Sequence, residues 1–288
     1  ACAEDTAGQR CYICFGEGDE DEGLVLGCAC RLDNGFAHVS CLARGAQAAV
    51  ERDADTGWAR WYICGLCGQE YHGVVRCALG WGCWKTYVGL PEGDWNRNGA
   101  LTMLGNGLNE SGRHEDWLAI LEVQLATLRR LGSIEGQIMV TRSNLALCLS
   151  KLGRLEESIA IEREVYAREK KLLGPTNKRT LHSGGNLVSS LIKQGQYAEA
   201  KTLSRKLISQ CRRALGSNHV MTLDLRRNFA EALYNDARAS RADILQGVAL
   251  LEDVARVRRR VSGSHHPDTA LALASLECAR MKREDVAA

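Results

Sequence analysis

Apolar positions recur at helical spacing through the C-terminal part of the chain. Leu155, Ile159 and Tyr166 follow one another at intervals of four and seven residues, and polar residues occupy most positions between them. Side chains at these intervals lie on one face of an α-helix, so the pattern is typical of amphipathic helices that bury one face. We therefore predict helices for most of the chain beyond residue 97.

The helical pattern repeats with a period of 42 residues. Asn144-Leu, Asn186-Leu and Asn228-Phe mark this period, and Gly153 and Gly195 follow the first two asparagines by nine residues. Each unit ends at a Gly that lies six residues before a Thr; the pairs are Gly174 and Thr180, Gly216 and Thr222, and Gly263 and Thr269. Gly suits a helix C-cap, and Thr suits the N-cap that follows. The pattern predicts two antiparallel helices per unit over residues 98–284, with residues 269–284 as a final capping helix.

This array resembles tetratricopeptide repeats of the kinesin-light-chain type. The resemblance rests on the 42-residue period, on Leu-Gly before a Thr, and on the string Gly195-Gln-Tyr-Ala-Glu-Ala, which is similar to the family's turn. It implies an all-α superhelix whose first helices line a concave surface. In that family the surface binds a peptide or a partner protein.

Asparagines and lysines of the first helices are the candidate contacts for such a partner. Asn144, Asn186 and Asn228 share one position of the period, and Lys151 and Lys193 lie seven residues after the first two. The amides can bind an extended peptide backbone, and the lysines would add a preference for carboxylates. Two other interpretations stay open: the asparagines connect neighbouring helices, and the lysines form a solvated face.

Eight cysteine and histidine residues precede the repeats as four close pairs. The pairs are Cys11 and Cys14, Cys28 and Cys30, His38 and Cys41, and Cys64 and Cys67. A closed zinc site takes four thiolate or imidazole ligands, and closely spaced ligands hold one ion without strain. A disulfide framework would have no use for a histidine at ligand spacing. The pattern predicts two structural Zn²⁺ ions.

The order and spacing of these ligands resemble the RING-CH, or RING-variant, zinc finger. One residue separates Cys28 from Cys30, seven residues precede His38, and the string from Cys28 to Leu42 is similar to the family's core. The resemblance implies a cross-brace, in which Cys11, Cys14, His38 and Cys41 bind one ion and Cys28, Cys30, Cys64 and Cys67 bind the other. A PHD finger has the same ligand order, but it generally has more residues between the third and fourth ligands, so the spacing favours RING-CH.

Composition is that of an ordinary folded protein of about two domains. The 288 residues are 45% hydrophobic and 25% charged, with a formal charge of +2. Seven zinc-bound thiolates and two zinc ions would change that charge to about −1. No face-sized run of basic residues indicates nucleic-acid binding, so we predict no nucleic-acid partner. Thirteen cysteines without a secretory signal predict a reducing, cytoplasmic location.

Residues 73–97 connect the predicted zinc module, residues 1–72, to the repeats. Residues 73–90 form an apolar run that ends before Pro91 and contains Arg76 and Lys85. A membrane-spanning helix needs about 20 predominantly apolar residues. We therefore predict a buried connecting segment and no membrane span.

The RING-CH resemblance implies a ubiquitin-protein ligase. In that family the zinc module binds a ubiquitin-conjugating enzyme, and here the repeats would hold the substrate. Ile13 and Leu66, inside the first and last ligand pairs, match positions that contact the conjugating enzyme. Catalysis would come from proximity, because zinc with four protein ligands has no open position for water.

The sequence departs from that family at two informative positions. RING-CH proteins often carry Trp four residues after the sixth ligand, where this chain has Gly45, and active ligases often carry a basic residue after the last ligand, where it has Gly68. We expect Trp58 or Trp61 to supply the missing aromatic side chain, and we expect weak activity. A non-catalytic scaffold and a PHD-like chromatin reader are the alternative functions.

Overall fold

Helices form the regular structure of the protein. The computed structural model describes residue 6 and residues 8–28, 30, 35–133, 135–263 and 267–285. Within these ranges, extended pairing consists of two isolated antiparallel bridges, Val25 with Ala37 and Ile63 with Glu70. The chain divides into two compact units, Ala1–Thr141 and Arg142–Ala288.

The helices are numbered in chain order. They are α1 (Val39–Arg52), α2 (Ala54–Gly57), a 3₁₀-helix (Trp58–Trp61), α3 (Gly73–Tyr87), α4 (Trp95–Glu110), α5 (His114–Arg130), α6 (Glu135–Lys151), α7 (Leu155–Leu173), α8 (Lys178–Lys193), α9 (Tyr197–Leu215), α10 (Val220–Tyr234), α11 (Arg241–Ser262) and α12 (Pro267–Asp285). In the part of the chain that the structure describes, no helix has the length and apolar character needed to span a bilayer.

Helix α3 is buried on two successive parts of its length. Val75 and Leu79 belong to the core that contains the zinc-ligand cysteines. One and two turns later, Cys83 and Tyr87 belong to a second cluster with Trp61. Apolar side chains of this run therefore pack inside the first unit. This is the buried connecting segment that the length of the run and its two charged residues predict.

Two glycines bring α3 and α4 into close contact. A Cβ atom on Gly80 would lie 2.8 Å from the carbonyl oxygen of Met103, and one on Gly107 would lie 2.9 Å from the carbonyl oxygen of Arg76. Real Cβ atoms do not approach backbone that closely, so no larger side chain fits without moving one helix. The small residues thus fix the spacing between these helices.

In the second unit, consecutive helices from α7 to α12 pack against one another. The glycines at the ends of the units have left-handed φ angles, 86° at Gly174 and 95° at Gly216, which few other residues adopt. The predicted role of the threonines is wrong. Helices α8 and α10 begin after Asn177 and His219, and the Thr222 hydroxyl instead donates to the carbonyl of Gly216 at 2.8 Å. Thr222 therefore closes the preceding helix end, and Thr269 does the same by donating to the carbonyl of Gly263 at 2.8 Å. The buried Thr180 hydroxyl makes no hydrogen bond with a described residue.

The predicted fold class is confirmed: a small cysteine-rich module with two clusters of metal ligands precedes all-α tetratricopeptide helices. Helix α12 packs against α11 and α10 in the place predicted for the capping helix. The domain boundaries predicted at residues 72, 97 and 284 stay predictions, and the division into compact units falls between Thr141 and Arg142.

Candidate metal centres and partner-binding surfaces

The first metal centre consists of Cys11, Cys14, His38 and Cys41, whose ligand atoms all lie within 4.8 Å of one another. His38 Nδ1 lies 3.4 Å from Cys14 Sγ and 3.8 Å from Cys41 Sγ. Its other ring nitrogen, Nε2, lies 3.1 Å from the carbonyl oxygen of Glu17. A hydrogen bond donated by Nε2 leaves the lone pair of Nδ1 directed at the three sulfurs, as a zinc-binding imidazole requires.

The second metal centre consists of Cys28, Cys30, Cys64 and Cys67, again with all ligand atoms within 4.8 Å. Cys30 Sγ lies 3.7 Å from Cys64 Sγ. Zinc with bonds of about 2.3 Å to sulfur places tetrahedral sulfur ligands about 3.8 Å apart. Both clusters therefore fit four-coordinate zinc, and the interleaved pairing that the RING-CH resemblance implies is the one the structure has.

Backbone amides favour the ionised form of one cysteine in each centre. Burial opposes ionisation of Cys11, but hydrogen bonds from the amides of Cys14, His38 and Ile13 lower its pKa to about 6. Burial likewise opposes ionisation of Cys64, and the amides of Cys67 and Leu66 lower its pKa to about 7. Because zinc binds the thiolate, each site has a charged ligand available near neutral pH.

Comparison with known protein families supports the assignment of these eight residues as zinc ligands. Residues 11–67 match the model of the RING-variant domain. This stretch is a RING-variant domain. The match decides between the RING-CH and PHD families, which the ligand order had left open, and it supports two structural zinc ions.

The helices beyond the zinc module are similar to known tetratricopeptide proteins. Residues 138–177 and 180–220 match the tetratricopeptide repeat model. A putative kinesin light chain from Podosopora anserina is 20% identical, with 65% of this chain and 86% of that chain covered and a TM-score of 0.54. BtubC (BKLC) from P. vanneervenii is 11% identical, with 86% and 83% covered and a TM-score of 0.55. At these identities the likeness shows the fold alone. No curated protein is significantly similar to the chain.

Ile13 and Leu66 occupy equivalent places in the two outer ligand pairs of the RING-variant domain. The amide of each donates to the first cysteine of its pair at 3.4 Å, Ile13 to Cys11 and Leu66 to Cys64. Their side chains are 40% and 54% exposed. These hydrogen bonds fix the two loops, so that an apolar side chain on each is held in solvent.

Phe15 is a surface residue that the sequence analysis missed. It follows the second ligand directly, its side chain is 73% exposed, and its φ of 62° is uncommon for a bulky residue. Its amide donates to the carbonyl of Cys11 at 2.8 Å, which holds the turn in place. An aromatic residue immediately after a ligand pair, in an otherwise acidic and Gly-rich loop, is the signal that could have identified it.

Trp58 and Trp61 do not form part of this surface, contrary to expectation. Trp61 is 1% exposed and packs with Val50, Cys83 and Tyr87. Trp58 stacks on Tyr87 with the ring centroids 5.5 Å apart. Both rings join the zinc module to α3 and α4, and neither supplies an aromatic side chain at the position of Gly45.

The structure also explains why Gly, and not a basic residue, occupies position 68. Its φ is +70°, and its amide donates to the carbonyl of Cys64 at 3.0 Å. A residue with a Cβ atom in this left-handed conformation costs about 1 kcal/mol. The turn that closes the last ligand pair therefore favours Gly over the basic residue that the family often has there.

The three asparagines of the repeats lie on the first helices, on α6, α8 and α10. Asn144 and Asn186 are half-buried, and Asn228 is 6% exposed. Their side chains make no hydrogen bond with another described residue. Among the described residues the amide groups therefore connect no helices, and their contact with a partner stays a prediction.

The two lysines differ from each other. Lys151 is exposed, whereas Lys193 Nζ donates to the hydroxyl of Ser150 at 3.0 Å. Burial first, and then the neighbouring Lys151, lower the pKa of Lys193, while the buried carboxylate of Glu162 opposes the shift. Burial raises the pKa of Glu162 to about 7. The sequence analysis did not identify Glu162, because its electrostatic interaction with Lys193 arises only when α7 and α8 pack together.

Proposed function

We propose that the protein is a RING-CH-type ubiquitin-protein ligase, in which the zinc module binds a ubiquitin-conjugating enzyme and the repeats bind the substrate. The observation that carries this proposal is the pair of exposed apolar side chains, Ile13 and Leu66, on the loops of two closed zinc centres. Apolar residues held on a rigid frame lose little conformational entropy on binding, which suits a small interface. Phe15 adds exposed aromatic area beside Ile13.

The chemistry of this proposal is proximity. Zinc with four protein ligands holds the module's shape and has no coordination position for a reacting group. A thioester between ubiquitin and the conjugating enzyme would meet a lysine of a substrate held by the same chain, which converts an encounter of separate molecules into a local reaction. We further propose a cytoplasmic location, where thirteen cysteines remain reduced.

Replacing Ile13 with Ala is expected to lower ubiquitin discharge from a charged conjugating enzyme by about tenfold, because a buried interface side chain contributes about 1.4 kcal/mol or more. Zinc content should stay at two ions, since the ligands and their amide hydrogen bonds are unchanged. Discharge to free lysine, followed across a panel of conjugating enzymes, measures the effect.

Val74→Ala is the matched control, because Val74 is 76% exposed and lies outside the ligand pairs. It should leave discharge unchanged. Gly45→Trp gives a test in the opposite direction: a Cβ on Gly45 meets no atom within 4 Å, so α1 accepts the ring. We expect this variant to raise discharge severalfold by restoring the family's aromatic contact. Equal loss in the Ile13 and Val74 variants would contradict the assignment of the surface.

A non-catalytic scaffold is the second candidate function, and Gly45 and Gly68 favour it because both departures weaken known ligase contacts. The two candidates differ in one measurement. If the wild-type protein discharges no conjugating enzyme above background, yet its repeats bind a partner, the scaffold function replaces the ligase. A PHD-like chromatin reader has no support in the family match.

The triple replacement of Asn144, Asn186 and Asn228 with Ala is expected to abolish binding of a peptide or protein substrate to the repeats. Each amide can offer both a donor and an acceptor to an extended backbone, so their joint loss removes about 3 kcal/mol or more of hydrogen bonding. Thermal melting by circular dichroism should change little, since these side chains connect no described residues. An early melt would show that the asparagines are structural.

A further inference from the structure

A large cleft in the second unit lies between α9 and α11, with α10 at its floor. Its volume is about 820 Å³, within the range of sites that hold ligands. We call it the arginine cleft, after the guanidinium groups of Arg205 and Arg212 from α9, Arg226 from α10, and Arg256 and Arg260 from α11 that line it. The loop residues Ser217 and Asn218 lie at one end.

Positive charge in this cleft exceeds the negative charge available to balance it. Among the described residues of the lining, Asp253 supplies the one carboxylate. It pairs with Arg226 at 2.6 Å and also with Arg256. Arg212 and Arg260, one on each wall, are exposed and have no carboxylate within ion-pair distance among the described residues. Like charges facing each other across a concave surface raise the local potential and attract anions.

The floor of the cleft is apolar. Phe229 is buried there, with the guanidinium of Arg205 5.2 Å from its ring centroid. Ile208, Leu250 and Val257 extend the apolar surface between the two walls. A small inorganic ion would use the arginines and leave this floor in water. A ligand that satisfies both parts must combine anionic groups with an apolar group.

The arginine cleft is separate from the asparagines. Arg226 and Asn228 are two positions apart on α10, and at about 100° per residue they point to nearly opposite sides of the helix. Arg226 lines the cleft, and none of Asn144, Asn186 and Asn228 does so. The repeats therefore have two distinct faces with chemistry suited to binding.

We propose that the arginine cleft binds a partner's peptide segment in which two or more anionic side chains flank an apolar one. Guanidinium groups form paired hydrogen bonds with carboxylates and phosphates, so glutamate, aspartate and phosphoserine share the required chemistry. The apolar side chain occupies the floor beside Phe229, and the anionic groups contact Arg212 and Arg260 on the two walls. This site does not depend on ligase activity.

A direct test uses fluorescein-labelled acetyl-Glu-Glu-Leu-Glu-Glu-amide and the full chain at near-physiological salt. Replacing both Arg212 and Arg260 with Glu is expected to weaken binding by tenfold or more, about 1.4 kcal/mol. The matched control is Lys206→Glu with Arg259→Glu, which makes the same charge change on α9 and α11 at exposed residues outside the cleft lining. The control should stay within about twofold of wild type, because exposed charges beyond contact are screened. Equal loss in both double variants would overturn the site.

Three further comparisons examine the ligand's chemistry. Asp253→Asn removes the carboxylate that competes for Arg226 and Arg256, so peptide affinity should rise severalfold, whereas a merely structural carboxylate would give no gain. Replacing the central Leu of the peptide with Gly should weaken binding, since the floor loses its contact. A phosphoserine peptide that binds more tightly than the glutamate peptide would identify a phosphorylated segment as the preferred form.

Two outcomes would overturn the peptide assignment. One is unchanged affinity when the central Leu becomes Gly together with equal affinity for a single-stranded oligonucleotide of the same charge, which would indicate a general polyanion surface. The other is equal affinity for a peptide with Gln at every Glu position, which would show that the arginines are not used. Helicity of each variant, measured by circular dichroism, confirms that the second unit stays folded.

Discussion

Removing zinc is expected to unfold residues 11–67 while the repeats stay helical. Structural zinc contributes roughly 10 kcal/mol or more to the folding of small domains at neutral pH, and a module of this size has little other core to replace that energy. The six ligand cysteines other than Cys14 lie in or against one apolar cluster that contains Phe36 and Leu42. Because the ions hold these cysteines in place, their loss also disrupts the packing of that cluster. Cys64→Ser should have nearly the same effect as a chelator, because it removes a ligand from one ion and disturbs the shared core.

The placement of the tryptophans makes this outcome measurable. All six lie between residues 58 and 117, within the first unit, so their fluorescence reports that unit alone, whereas far-ultraviolet circular dichroism also reports the repeats. We expect the fluorescence of Trp58 and Trp61 to shift to the red with a small loss of helix signal. Part of that loss should come from α3, because Val75 and Leu79 share the core of the zinc module.

Cys278→Ser is the control for the zinc prediction, since Cys278 is exposed and lies outside both ligand clusters. It should keep two ions per chain and the wild-type fluorescence. Metal analysis that finds one ion or none in protein purified under reducing conditions would contradict the two-site assignment. Unfolding of the entire chain on chelation would contradict the independence of the repeats.

Replacing Gly80 with Val is expected to destabilise the first unit by about 3 kcal/mol, at the upper end of overpacking effects. The added Cβ would lie 2.8 Å from the carbonyl oxygen of Met103 and 3.1 Å from the Cα of Leu104. Both atoms belong to backbone, which cannot move aside as a flexible side chain can. The helices α3 and α4 must therefore separate, which also exposes Cys83 and Tyr87 of the neighbouring cluster.

Urea unfolding followed by tryptophan fluorescence measures this effect, since Trp81, Trp84 and Trp95 lie on the two helices concerned. The midpoint should fall with little change in slope. Gly45→Val is the control: it makes the same substitution in a helix where a Cβ meets no atom within 4 Å, and it should change stability by less than about 0.5 kcal/mol. Equal shifts in the two variants would mean that helix propensity, and not close packing, governs both.

The metal centres and the repeats follow from the sequence because their chemistry is recorded in local spacing. Zinc ligands arrive as pairs within short loops, so Cys11 and Cys14 or Cys64 and Cys67 identify a site before any folding is considered. The repeats return the same residue to the same backbone conformation every 42 positions, as the left-handed φ angles of Gly153 and Gly195 show. A family resemblance then gave the interleaved pairing of the ligands, which spacing alone left open.

Tertiary structure decided which surfaces remain for partners. The sequence shows that Trp58 and Trp61 are aromatic, but packing against α3 and α4 buries Trp61, half-buries Trp58 and leaves Ile13, Leu66 and Phe15 in solvent. The arginine cleft has no counterpart in local spacing, since its walls come from α9 and α11, which are separated along the chain by α10. Local spacing fixes ligand geometry and helix period, whereas burial and the meeting of distant charges depend on which helix faces pack together, and only the folded chain contains that information.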